Sequence, residues 1–166
     1  MNLLIIKKPN EILSKKLESV KEITPQIKKL ILNMRKVMKE ASGVGLAANQ
    51  VGQDMQFFII DENLAKEYSA PSVYINPEVK SYSKDEEELE EGCLSIPETW
   101  LKIRRYKKVK VKTVDETGKK FKFIAKGILA RVLQGRTFSG NRLYPSLELS
   151  FLQKEKGART RRSCAW

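Results

Sequence analysis

Two short stretches of the chain hold residue types that could do chemistry. The first, Gly43-Val44-Gly45-Leu46-Ala47-Ala48-Asn49-Gln50, sets flexible glycines beside small residues and ends on one amide side chain. Backbone there can approach a ligand closely, and a buried glutamine presents two N–H donors able to stabilise a developing oxyanion. The same pattern also describes a helix C-terminus with a glycine stop and a structural glutamine. The second stretch, Glu91-Gly92-Cys93-Leu94-Ser95-Ile96-Pro97, carries a lone cysteine between a glycine and a leucine. A thiol in that setting serves as a packing residue, a nucleophile or a metal ligand, and packing is the commonest of the three. The acidic run Asp85 to Glu91 opposes a negative thiolate by like-sign repulsion, which disfavours an unassisted nucleophile. A bound metal would reverse that argument.

Composition narrows the chemistry further. The 166 residues include no histidine, which excludes imidazole catalysis and every metal site that needs an imidazole ligand. The length points to one domain with a core of its own, and 41% apolar with 31% charged residues is the balance of a soluble globular protein. No apolar run is long enough to span a membrane. The opening residues Met1 to Ile6 are few and meet Lys7-Lys8, unlike a signal peptide. Two cysteines without an export signal suggest reduced thiols and a cytoplasmic protein. Charge is unevenly placed: residues 1–100 carry a net −3 and residues 101–166 a net +15. Such a basic half suits RNA, ribosomes or anionic surfaces, and equally a solvated lysine-rich face.

The elements that must position these residues can be read from periodicity. Pro25 to Ala41 has apolar residues on one helical face (Ile27, Leu30, Ile31, Met34, Val37, Met38, Ala41), with Thr24 as N-cap, Pro25 at the first position, and Gly43 and Gly45 as the stop. Phe57–Ile60 reads as a buried strand, and Val73–Ile75 as a second strand ending at an Asn76-Pro77 turn. Val109, Val111 and Thr113 alternate with lysines, and Asp115-Glu116-Thr117-Gly118 turns the chain into Phe121-Lys122-Phe123, a hairpin. Ile128, Leu129, Val132 and Leu133 open another helix after Gly127.

Together the two stretches resemble the signatures of the peptide deformylases, hydrolases that remove formate from the formyl-methionine of new bacterial proteins. Gly-x-Gly-Leu-Ala-Ala-x-Gln and Glu-Gly-Cys-Leu-Ser both match at every defined position, in the family's order and spacing, and the resemblance runs from about Pro9 to Gln134. It implies an α+β fold with antiparallel strands around a central helix. It also implies a divalent metal, natively ferrous iron with zinc or nickel as alternatives, and N-formylmethionyl nascent peptides as substrates. By that resemblance Cys93 is a metal ligand, Gln50 and the backbone N–H of Leu94 stabilise the tetrahedral intermediate, and Gly43 and Gly45 line the substrate path.

The chain then departs from the family pattern. The third signature, H-E-x-x-H on the central helix directly after a Gln, supplies two metal ligands and the general base. Here Ala130-Arg131-Val132-Leu133-Gln134 is followed by Gly135-Arg136-Thr137-Phe138-Ser139. The expected division is a deformylase-like domain over 1–134 and a basic tail over 135–166. Two causes would account for the break, natural divergence of a paralogue whose C-terminal segment took another role, or a frameshift: the reading CAA CAT GAG GTC GAA CAT TTT CAG GGG encodes Gln-His-Glu-Val-Glu-His-Phe-Gln-Gly. Deletion of CATGA leaves codons for Gln-Gly-Arg-Thr-Phe-Ser-Gly, the residues from Gln134 to Gly140. The expectation is an inactive or impaired chain that does not retain its metal. The alternative is a non-enzymatic ribosome- or RNA-associated protein using the basic C-terminal half.

Overall fold

A computed structural model describes residues 3–136 of the chain. The expected tail beyond that point lies outside the described residues. The first long element is α1 (Pro25–Glu40), preceded by an irregular segment with one 3-10 turn. Thr24 caps it as expected, its hydroxyl accepting from the Ile27 N–H at 3.4 Å, and Pro25 occupies the first turn. Ile27, Ile31, Met34 and Met38 are its buried residues, one stripe at helical spacing.

The helix stops differently from the glycine stop expected. Gly43 N–H bonds Met38 C=O at 2.9 Å and Ser42 N–H bonds Lys39 C=O at 3.0 Å, the paired bonds of a Schellman ending. The left-handed residue is Ser42 (φ 54), so neither glycine is needed for the turn itself.

Seven strands follow: β1 (Gly45–Ala47), β2 (Phe57–Ile60), β3 (Val73–Tyr82), β4 (Glu86–Cys93), β5 (Ile96–Tyr106), β6 (Lys108–Val114) and β7 (Lys120–Lys126). A short helix α2 (Glu62–Glu67) joins β2 to β3, and α3 (Gly127–Arg136) follows β7. Five strands form one antiparallel sheet in the order β1-β2-β3-β6-β7, and β4 and β5 pair as a separate two-stranded sheet. The architecture is α+β, with α3 packed against β5, β6 and β7.

β3 does not end at Asn76-Pro77 but runs through it. Asn76 takes a left-handed conformation (φ 46), and the register with β6 shifts between Ile75 and Glu78. Pro77 has no N–H to give a ladder, so the pair forms an irregularity within the strand. The Asn76 side chain compensates by pairing with both backbone groups of Val20, at 2.9 and 2.7 Å. A proline that reads locally as a stop is carried at this irregularity, where the Asn76 N–H bonds Gln56 C=O at 2.8 Å and its side chain pairs with the Val20 backbone.

The main core is continuous from α1 through β1, β2, β3 and β6 to α3, and includes Phe57, Phe58, Ile59, Ile60, Tyr74, Val111, Leu129 and Leu133. Phe58 and Tyr74 stack across β2 and β3 with ring centroids 4.7 Å apart. Among the described residues the Tyr74 hydroxyl has no hydrogen-bond partner, and burial pushes its phenol well above the ordinary value. An unmet buried hydroxyl costs about 1–3 kcal/mol. Tyr74→Phe is therefore expected to stabilise the protein by about 1 kcal/mol, read as a higher urea midpoint at unchanged slope. A lower midpoint would show that the hydroxyl is satisfied in solution. Among the described residues no helix is long and apolar enough to cross a membrane.

Candidate functional site

The two signature stretches, separated by forty residues in the chain, meet in the folded protein. Gln50 lies in the 3-10 turn Ala48–Val51 that follows β1, and its side chain is fully buried. Its Oε1 accepts from the Ala47 N–H at 3.1 Å, which fixes the orientation of the amide. Its Nε2 then faces the second stretch, donating to Ser95 Oγ at 3.0 Å and lying 3.9 Å from Cys93 Sγ. Cys93 ends β4, is 3% exposed, and packs with Ile103 and Ile96. Leu94 and Ser95 form the tight turn between β4 and β5.

Gly43 meets Leu94 directly. A Cβ at Gly43 would lie 2.6 Å from Leu94 Cδ1, so the position needs a glycine for close approach rather than for its backbone angles. Gly45 is buried at the start of β1, where it pairs with Ile60. Of the residues picked out in the sequence, the fold thus brings Gly43, Gln50, Cys93 and Leu94 together and places Gly45 in the sheet beside them. The N-terminal segment ties the same region down. Ile6 N–H bonds Gln50 C=O at 2.7 Å, Lys8 N–H bonds Ser95 C=O at 3.0 Å, and Lys7 Nζ donates to Leu94 C=O at 2.5 Å.

Periodicity alone does not reveal the polar group beneath this site. Glu91, on the strand that delivers Cys93, is 1% exposed. Its carboxylate accepts from Arg105 Nε and Nη2 at 3.1 and 2.9 Å, and from Arg131 Nε at 2.9 Å. Arg131 is 3% exposed and uses its remaining nitrogens on the carbonyls of Glu87 and Ile103, at 3.0 and 2.6 Å. Burial pulls the Arg131 guanidinium below its ordinary pKa, and the Glu91 charge opposes that shift. Gln134 adds a second tie between α3 and β5. Its amide accepts from Tyr106 N–H at 2.9 Å and donates to Tyr106 C=O at 2.7 Å, as a strand residue would. The available sequence signal was an arginine among the apolar residues of a short helix, a position that demands a buried partner.

The matches to known proteins follow this geometry. The profile of the polypeptide deformylase family fits residues 3–137. The chain belongs to that family. It is 42% identical to a peptide deformylase of Thermodesulfovibrio yellowstonii over 135 residues, covering 81% of each chain. With the peptide deformylase of Psychrobacter cryohalolentis it shares 40% over 115 residues, 69% of this chain and 61% of the relative, so the match spans less than two thirds of that protein. Among solved structures, the peptide deformylase of Thermotoga maritima superposes with a TM-score of 0.75 at 34% identity, over 82% of this chain and 89% of that one. The peptide deformylase of Synechococcus elongatus, solved with actinonin, gives 0.74 at 35% identity over 81% and 71%. The α+β fold expected from the resemblance is therefore the deformylase fold.

Among the described residues the donor set of this deformylase-family chain does not fit a metal held by three protein ligands. Cys93 is a free, buried thiol, and the sequence contains no histidine. No group of three or more His, Cys, Asp or Glu side chains converges among the described residues. Glu91, two residues from Cys93, is already bound by two guanidinium groups. What remains can orient an amide toward a thiol and a hydroxyl, which supplies hydrogen-bond donors without an activated water.

Proposed function

We propose that this chain descends from a cytoplasmic peptide deformylase whose reaction was metal-dependent removal of the formyl group from N-formylmethionyl nascent peptides. We propose further that the chain as it stands is inactive or severely impaired. The observation that carries the reading is the contrast between an assembled half-site and an absent one. Gln50, Cys93, Leu94 and Gly43 are packed as a unit, while the two imidazoles and the general base have no counterpart in the sequence.

In this reading Gln50 Nε2 and the Leu94 N–H are the retained oxyanion donors, Cys93 the retained metal ligand, and Gly43 and Gly45 the walls of the substrate path. Loss of acid–base help alone removes about 10²–10⁴ in rate. Loss of the metal leaves no source of hydroxide at neutral pH. The frameshift between Gln134 and Gly140 remains the proposed cause, supported by a family match that ends at residue 137.

The test is hydrolysis of formyl-Met-Ala-Ser, followed by formate release, together with metal analysis of protein purified under gentle conditions. The expected result is hydrolysis at the metal-free background and far less than one metal per chain. Stoichiometric iron, nickel or zinc that disappears on Cys93→Ala, or turnover above background, would overturn the reading. Sequencing the DNA around codon 134 tests the cause: deletion of CATGA leaves Val-Glu-His-Phe-Gln-Gly readable in an alternative frame just after that codon, and the absence of that reading from both alternative frames would exclude this frameshift.

A further inference from the structure

The hairpin β6–β7 presents two unlike faces. Val109, Val111, Thr113 and Ala125 are buried on the side facing the core. On the other side, Lys108, Lys110 and Lys112 of β6 and Lys120, Lys122 and Lys126 of β7 are all exposed. The register sets Lys108 opposite Lys126 and Lys112 opposite Lys122, with Lys110 opposite Ile124, which is 65% exposed. On the β3 side Glu78 lies opposite Lys112, and its carboxylate is hydrogen-bonded to Lys80.

Like charges directly opposite one another destabilise a sheet. Lysine on an edge strand has a separate justification, since it blocks edge-to-edge aggregation, and β7 is an edge. That justification does not reach β6, which lies between β3 and β7. The arrangement is therefore a field of positive charge that Glu78, opposite Lys112 and shared with Lys80, offsets only in part. Lysines two positions apart on one strand are about 6.6–6.8 Å apart, Lys122 and Lys126 about twice that, and the two strands about 4.7–4.9 Å apart. This makes two columns of cations suited to an extended chain of phosphates.

We propose that this face docks the sugar–phosphate backbone of RNA. Electrostatic attraction to phosphates needs no sequence motif and grows with the number of lysines engaged. An anionic membrane is the less favoured partner, because surface anchoring needs an apolar stripe to insert and Ile124 is one side chain among six lysines. The inference is independent of the deformylase reading, since it is tested without any hydrolytic measurement.

The experiment compares the full chain with two triple variants of equal net charge, Lys110→Gln/Lys112→Gln/Lys122→Gln on the hairpin and Lys28→Gln/Lys29→Gln/Lys36→Gln on the exposed face of α1. A labelled single-stranded RNA of mixed sequence is titrated over a series of salt concentrations. The hairpin variant is expected to bind about tenfold or more weakly at low salt. Its slope of log affinity against log salt should shrink by about 2, since each phosphate left without its lysine lowers the slope by about 0.7. The α1 variant should stay within about twofold of the parent, and arginine at the three hairpin positions should restore binding by the same electrostatic attraction. Melting temperatures equal to or above the parent's confirm that both variants are folded. Equal weakening by both triples, no RNA binding at low salt, or loss of binding to phosphatidylserine vesicles with RNA binding intact would each overturn the proposal.

Discussion

Glu91→Ala is expected to destabilise the protein by about 3–5 kcal/mol, the cost of removing one partner from a buried charge pair. The carboxylate sits at 1% exposure between Arg105 at 9% and Arg131 at 3%, each held at 2.9 Å. Its removal leaves two desolvated cations facing each other, and Arg131 cannot reach water without releasing the carbonyls of Glu87 and Ile103. The same three residues join the strand that ends in Cys93 to α3, so the loss should open the site together with the fold. Urea denaturation checks the magnitude. A loss below about 1 kcal/mol, the range of exposed pairs, would mean that water already shares the charge. Surface pairs such as Arg104 with Glu86 and Glu88, at 3.9 and 4.0 Å, should show only such small effects when broken.

The second large effect is a coupling between the two signature stretches. Leu94 is 1% exposed, and Leu94→Ala should cost about 2–5 kcal/mol through lost burial and the cavity left behind. Gly43→Ala should cost about 1–3 kcal/mol, because its methyl carbon would stand 2.6 Å from Leu94 Cδ1. In the double variant the alanine at 43 enters the space that the leucine vacates. The two losses should therefore fall short of additivity by at least about 1 kcal/mol, measured as a double-mutant cycle in urea. Strict additivity would show that the glycine is there for another reason.

Much of the site is legible from the residues themselves, for reasons that particular positions make clear. Gly43, Gln50 and Cys93 stand out because each does something its neighbours cannot (close approach, paired donation, a thiol), whereas Leu94 enters only through the family resemblance, for its backbone N–H. α1 is legible because Thr24-Pro25 and a stripe at helical spacing agree on one element. β4 and β5 are not, because Glu86–Glu91 is a poor strand by propensity. The strand is held by its ladder with β5 and by the buried Glu91 carboxylate on Arg105 and Arg131, while Glu87, Glu88 and Glu90 lie opposite cationic rather than acidic residues. That complementarity becomes visible only once the pairing partner is known.

The chain's residue types alone determined what it cannot do: without histidine it has no imidazole base, and the two imidazole ligands of the family's metal have no counterpart. They also determined its kinship, because two signatures in the family's order and spacing are a one-dimensional property. Only the folded structure decided how the surviving parts are held. Gln50 reaches across to Ser95 and Cys93, Gly43 lies against Leu94, and Arg131 from α3 neutralises Glu91 beneath them. Those partners lie 40 to 51 residues apart in the chain. Local propensity carries no information at that range, where burial and the need to satisfy each buried polar group select the partners.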